Sequence, residues 1–272
     1  MEVKVLCPLW GHEHLPLKTF LDKVRLAGYD GVETWLPADP ADRRMLYDYV
    51  QQHELYLVTH QHSAEGRTFT EFRQSFLLNL EACGESRPLL INSHTGRDYF
   101  TLQQHLDLID VAQEFSTRAG LVVAHETHRG RMGYSPQMMQ TLLEQHHEFC
   151  LTADLSHWVC VTESMLEHFT GVLNEALARS RHIHARVGFE QGPQVPDPRA
   201  PEYQYALDHF LRWWDTIVST NRAGGCKILP ITTEFGPPPY MPRLPFSNTP
   251  VADQFTVNCF MKDLLRARYG AG

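Results

Sequence analysis

The feature that most constrains the fold is a recurrence. Short apolar segments with strand character alternate with amphipathic helical segments from one end of the chain to the other. Candidate strands lie at 2–9, 30–35, 55–60, 88–93, 121–126, 149–154, 182–187 and 228–235. Their centres recur at intervals of roughly 25–35 residues, the size of one βα unit; only the last interval is much longer. Between them, apolar residues fall at helical spacing, as in Phe20, Leu21, Val24 and Ala27, or Phe69, Phe72, Phe76 and Leu80. Asp39-Pro40 and Ser135-Pro136 read as an N-cap followed by proline at the first helical position, and Gly28, Gly84 and Gly120 as helix stops.

Eight such units in 272 residues predict an α/β fold, a closed parallel (β/α)8 TIM barrel spanning 1–272 as one domain. An open doubly wound sheet needs fewer strands and usually a glycine-rich first turn. Here the first turn is Pro8-Leu9-Trp10-Gly11-His12, with no phosphate-binding fingerprint. No linker or low-complexity tract interrupts the pattern, and the stretches 188–202 and 236–249 read as long loops.

Charge and composition narrow the function. A net charge of −8 argues against a surface built for nucleic acid or anionic membrane. No apolar run approaches membrane-spanning length and no N-terminal signal is visible, so a cytoplasmic location is expected. The six cysteines show no CxxC or CxxH spacing and read as reduced thiols. The anomaly is 16 histidines clustered near the predicted strand ends, where imidazole serves metals and proton transfer.

In a barrel of this kind, catalytic groups stand at the C-terminal ends of strands. Here strand two ends near Glu33, strand three at His60-Gln61-His62, strand four at Asn92-Ser93-His94 and strand five at His125-Glu126-Thr127-His128. Strand six ends at Asp154-Leu155-Ser156-His157, strand seven at His182-Ile183-His184-Ala185-Arg186 and strand eight at Thr233-Glu234. Strand alternation puts Glu126 and His128 on one face with His125 facing a helix, and puts His182, His184 and Arg186 together. Glu126, Asp154, His184 and Glu234 would make a hard, oxygen-rich site for Mn²⁺, Mg²⁺ or Co²⁺, with Zn²⁺ also a candidate. A shared cation would also explain how three buried carboxylates coexist.

These residues resemble the xylose isomerase-like barrel superfamily, the sugar phosphate isomerase/epimerase and endonuclease IV-type group. The resemblance covers essentially the whole chain. It rests on Glu126 on strand five, Asp154-x-x-His157 after strand six, His182-x-His184 on strand seven and Glu234 on strand eight, in that order. It implies one divalent ion held by Glu126, Asp154, His184 and Glu234, with His157 touching substrate or metal. It also implies a small sugar or polyol substrate that chelates the ion, which polarises the carbonyl and stabilises an enediolate after proton removal. Glu126 and Glu234 would serve as base and acid, His157 and Arg186 would hold substrate oxygens, and His60, His62, His94 and His128 would line the mouth or stand behind the ligands.

Two positions depart from ketose 3-epimerases of the superfamily. Met132 stands where they have a second glutamate, and Glu190 where they have an arginine. No lysine closes a strand, as the hydride shift of xylose isomerase would require. The expectation is therefore a metal-dependent sugar isomerase or epimerase, or a dehydratase of a keto-inositol-like substrate working by the same enolisation. An endonuclease IV-like phosphodiester hydrolase and a non-catalytic sugar-binding barrel are the alternatives. The hydrolase lacks its Asp-x-His pair after strand seven, where Pro196-Asp197-Pro198-Arg199 offers no histidine. A homo-oligomer is compatible with the sequence. Glu33 is expected to hydrogen-bond within the barrel, His128-Arg129-Gly130-Arg131 to be a solvated loop or an anion grip, and Trp213 and Trp214 to pack the seventh helix.

Overall fold

Eight strands run parallel and pair in sequence order until β8 returns to β1. They are β1 (Glu2–Pro8), β2 (Gly31–Thr34), β3 (Tyr56–Gln61), β4 (Leu90–Ser93), β5 (Val123–Glu126), β6 (Cys150–Ala153), β7 (Ser180–His184) and β8 (Ile228–Thr232). The closing seam runs from Glu2 opposite Ile228 to Leu6 opposite Thr232. The computed structural model describes residues 1–270. Outside the strands lie α1 (Leu17–Leu26), α2 (Pro40–Gln52), α3 (Phe69–Gly84), α4 (Leu102–Ala119), α5 (Pro136–Gln145), α6 (Leu155–Thr162), α7 (Thr170–Arg179), α8 (Gln204–Ala223) and α9 (Gln254–Tyr269). The (β/α)8 barrel expected from the recurrence is the fold of the chain.

The helix starts follow the sequence. Asp39 and Ser135 cap α2 and α5 with their side chains, each followed by proline. Thr68 with Glu71, and Thr101 with Gln104, form reciprocal capping boxes on α3 and α4. Gly120 ends α4 in the left-handed region, φ +65°. Gly84 is the last residue of α3, with Glu85 as the C-cap, but it stops the helix without a left-handed turn. Its bare Cα instead admits Phe115 of α4, whose ring would stand 2.9 Å from an added Cβ.

Two further differences concern the end of the chain's sixth and seventh units. Two helices, α6 and α7, separate β6 from β7, so Trp213 and Trp214 belong to α8, where both are buried as packing residues. Strand β7 begins at Ser180 and stops at His184, two residues earlier at its start and three at its end than the apolar run suggested. The cause is a tight turn: the Arg186 N–H bonds back to the His184 carbonyl at 2.9 Å. An identical turn ends β5, with the His128 N–H on the Glu126 carbonyl at 2.9 Å.

Inside the barrel, period-two alternation stacks a polar layer on an apolar one. Leu6, Val58, Leu90 and Ala124 form one buried apolar cluster. Two residues further along their strands, Pro8, His60, Asn92 and Glu126 succeed them toward the mouth. A barrel interior is ordinarily filled with branched apolar side chains; here its upper layer is built of histidine, asparagine and glutamate. On the outward face of β5, His125 meets Thr95 Oγ1 through Nδ1 at 2.6 Å and packs edge-on to Phe149. Among the described residues, no helix is long and apolar enough to cross a membrane, and all six cysteines are free.

Candidate active site

Four side chains meet over the polar layer. Glu126 ends β5, Asp154 follows β6, His184 ends β7 and Glu234 stands two residues beyond β8. One donor atom from each lies within 4.8 Å of the others. His184 Nδ1 is 2.7 Å from Glu234 Oε2 and 3.5 Å from Glu126 Oε1. All three atoms are buried, and none has a hydrogen-bond partner outside the three. Buried polar atoms ordinarily find partners, and three that converge in this way could hold a cation. The donor set, three carboxylates and an imidazole, has the chemistry of such a site.

The fourth member is held differently. Asp154 caps α6, with Oδ1 accepting from the Ser156 backbone at 3.2 Å and hydroxyl at 2.5 Å. Its Oδ2 is paired with the Arg186 guanidinium. Arg186 is 1% exposed and also reaches within 3.7 Å of Glu234. The aromatic faces of Tyr240 and Trp10 lie 4.8 and 5.6 Å from it. Gly236 makes room for this: a Cβ there would strike the Trp10 ring at 2.2 Å. Gln194 ties the loops after β7 and β8 together, accepting from the Gly236 N–H at 2.7 Å and donating to its carbonyl at 3.3 Å.

His157 lies behind Arg186 and is fully buried. Arg186 and Arg129 approach its two ring nitrogens at 2.9 and 3.0 Å. A neutral imidazole has a single acceptor nitrogen, so only one of these contacts is a hydrogen bond. The Asp154-x-x-His157 spacing therefore places both side chains on the first turn of α6, with His157 supporting Arg186 from behind. Arg129 also reaches the Tyr240 hydroxyl at 3.3 Å, so it is committed to the scaffold rather than loose on a loop.

A cavity of about 190 Å³ opens above this floor. It is smaller than the ~300–1,000 Å³ of sites for drug-sized ligands. Its wall is divided by strand order. Trp10, Trp35 and Tyr240 come from the loops after β1, β2 and β8 and give an aromatic arc. His60, His62, His94 and His128 come from β3, β4 and β5 and give an imidazole arc. Glu33, Arg186 and Glu234 border both. Thus His60, His62, His94, His128 and Arg186 stand at the cavity, while Glu126, Asp154, His157 and His184 lie beneath it.

The imidazoles form a row. Ring centroids are 5.3 Å apart for His60 and His62, 4.3 Å for His60 and His94, 4.2 Å for His94 and His128, and 4.0 Å for His128 and His157. Burial holds the row neutral. It lowers His60 to about 4 and presses His94 and His157 well below the usual imidazole range. At His94 burial outweighs the attraction of Glu126, 3.0 Å away.

His184 goes the other way. Burial opposes its charge, yet the carboxylates of Glu234, Glu33 and Glu126 outweigh burial and raise it well above its ordinary value. Burial also raises Glu234, to about 7, against the pull of His184 and Arg186. Glu126 is held well below the usual carboxylate range because His94 and His184 outweigh its burial. The crowd of acids draws positive charge to its centre.

Several participants were not singled out by the sequence. Asn92 donates from one amide nitrogen to Glu126 Oε2 at 2.8 Å and to Glu33 Oε1 at 2.9 Å, bridging β4 to β5 and β2. Trp10, Trp35 and Tyr240 were not assigned to the cavity, although each lies within a few residues of a strand end or in a long loop. Aromatics just past strand ends are the signal that would have found them.

No protein-family model matches the chain, and no curated protein matches it by sequence. Solved structures do. A D-tagatose 3-epimerase-like protein superimposes with TM-score 0.66 at 13% identity, covering 97% of both chains. The 3-keto-D-glucoside 4-epimerase of E. coli, in its apo form, gives 0.63 at 11%, covering 98% of this chain and 100% of that one. A xylose isomerase-like TIM barrel protein from Mycobacterium smegmatis, in complex with magnesium, gives 0.62 at 10%, covering 96% and 95%. The chain shares the (β/α)8 barrel fold of these three structures.

Proposed function

We propose that this barrel is a divalent-metal-dependent enzyme that isomerises or epimerises a small sugar or polyol-derived keto sugar by moving a proton next to a carbonyl. The observation that carries the reading is the set of three converging buried donor atoms on Glu126, His184 and Glu234, with no partner outside the set and with Asp154 beside them. Fold likeness to sugar epimerases supports it, and the magnesium-bound relative supports the metal.

Glu126, Asp154, His184 and Glu234 would hold one ion, Mn²⁺, Mg²⁺, Co²⁺ or Zn²⁺. Such an ion, when bound, supplies a Lewis acid that draws electron density from a carbonyl and offsets the charge left by proton removal. The chain supplies the rest. Glu234 borders the cavity and takes or returns the proton at the reacting carbon, with Glu126 as its partner from β5. The neutral rings of the imidazole arc accept hydrogen bonds from sugar hydroxyls; His60 Nε2, His62 Nδ1 and His94 Nδ1 are buried and unpartnered. Trp10, Trp35 and Tyr240 offer flat surface to the apolar face of a sugar ring and exclude water. Arg186, fixed by Asp154 and the two aromatic rings, positions a substrate oxygen.

The test is metal analysis of purified protein together with α-proton exchange in D2O, followed by NMR over a panel of keto sugars. Metal-dependent exchange into at least one of them is expected. No exchange across the panel would overturn the reading.

A phosphodiester hydrolase with several ions is the second reading. The group His60, His94 and Glu126, whose donor atoms lie within 4.8 Å, favours it. The net charge of −8 weighs against it, since phosphate contacts dominate nucleic-acid affinity. Anomalous scattering from three clustered ions would bring it forward.

A further inference from the structure

The imidazole of His184 is used on both sides. Its Nδ1 faces Glu126 and Glu234, and its Nε2 faces Glu33, 3.1 and 3.0 Å from the two carboxylate oxygens. Glu33 lies on β2, separated from β7 by β8 and β1, and reaches His184 across the barrel interior. It is 5% exposed. Its other polar neighbours are Asn92, donating at 2.9 Å, and His182 at 3.5 Å. Among the described residues, no lysine or arginine forms an ion pair with it.

A buried carboxylate needs a partner, and the one that Glu33 has is the Nε2 side of His184. Carboxylates face both ring nitrogens, Glu33 at Nε2 and Glu234 at Nδ1; an ion at Nδ1 would displace the proton there, and the carboxylate at Nε2 would keep the remaining proton on that side of the ring. A ligating imidazole needs that lone pair free, and a carboxylate behind it raises its basicity. Asn92 adds to the arrangement, because the same amide nitrogen that holds Glu33 also holds Glu126 Oε2 at 2.8 Å. One outer group thus orients an imidazole and, through Asn92, a carboxylate of the floor.

We infer that Glu33 is a positioning residue for the cation: it accepts the Nε2–H of His184 and turns the Nδ1 lone pair toward Glu126 and Glu234. This rests on the reading that the four floor residues hold an ion. A competing arrangement places an ion between Glu33, His182 and His184, whose donor atoms also lie within 4.8 Å. His182 argues against it, because both its ring nitrogens face hydroxyls, Thr232 Oγ1 at 2.9 Å and Thr152 Oγ1 at 3.3 Å.

The experiment strips the full chain with a chelator and titrates it with Mn²⁺, following free ion by electron paramagnetic resonance. Wild type and Glu33→Gln are compared, and each is melted without metal. The expected result is one ion per chain in both, bound roughly 10–100-fold more weakly by the variant. The metal-free melting temperature should be held or raised, because a buried charge is gone. A double-mutant cycle with His184→Gln reads the route: Glu33→Gln should weaken Mn²⁺ binding no further once His184 is gone. Equal affinity in wild type and Glu33→Gln overturns the inference. So does a loss of affinity that merely follows a loss of metal-free stability, and so does a wild type with two ions of which Glu33→Gln loses one. A wild type that binds no Mn²⁺ overturns the proposed function itself, a result distinct from all of these.

Discussion

This barrel buries two kinds of histidine. His12, His105 and His125 are buried away from the mouth, in the helical shell, against Phe20, Phe100 and Phe149 respectively. His60, His94, His128, His157 and His184 crowd the mouth among acids and arginines. In the shell, burial is the chief cause that lowers the imidazoles, His12 and His105 to about 4 and His125 to about 3, with Lys23 adding to it at His12 and His146 at His125. At the mouth the same burial operates, but three carboxylates reverse its effect on His184. The lesson is that burial keeps an imidazole neutral here unless several carboxylates face it at once: Glu126 alone does not overcome it at His94, while three together do at His184.

The sharpest way to break the comparison is at the mouth. Glu234→Gln keeps shape but removes a carboxylate at the cavity edge; solvent exchange of a substrate α-proton should fall ~10²–10⁴-fold, the range of a general acid–base group. A fall of less than tenfold would remove Glu234 from that role.

The shell should show itself in acid. Its histidines have folded values below the unfolded 6.5, so the unfolded chain binds protons that the folded one refuses. Their contribution is whole above pH 6.5 and is lost as pH falls from there through about 4, a few kcal/mol for each ring. Urea unfolding at pH 8 and pH 5 measures this. In His105→Leu, which removes a ring with both nitrogens unpartnered, the loss between the two pH values should shrink. An unchanged pH dependence would show that His105 is not buried neutral.

The smallest effect belongs to the aromatic arc. Trp35→Ala should raise KM about 2–12-fold, the equivalent of one aromatic contact of ~0.5–1.5 kcal/mol, with kcat little changed. A large drop in kcat instead would move Trp35 from holding the substrate to shaping the floor.

The strands, helix caps and barrel closure were legible because they are local: period-two runs, prolines after cap residues and regular spacing all lie within a few residues of one another. The end of β7 was not, since Ala185, Arg186 and Val187 continue an apolar strand pattern and only the turn at His184 cuts it. At the site, the strand-end positions of Glu126, Asp154, His184 and Glu234 could be read, and the structure brings their donor atoms together. What lay beyond the sequence was who faces whom. Glu33 meets His184 across 151 positions of chain, and Arg186 meets Asp154 across 32. Such pairings depend on side-chain reach over the barrel mouth, which no spacing encodes. Equally, Asp154 as the cap of α6 and Gly84 as a berth for Phe115 emerge only when neighbouring elements are packed.

Arg186 has a consequence of its own. Because it is covalently part of the chain, the positive charge that it lends to Asp154 and Glu234 does not diffuse away. The acids under the cavity are thus never wholly stripped of a counter-charge, and the proposed ion would have to share Asp154 with Arg186. A resident arginine of this kind keeps the acids of the floor assembled on its own, so the affinity of an ion proposed for this floor would be set as much by what it must displace as by what it can bind.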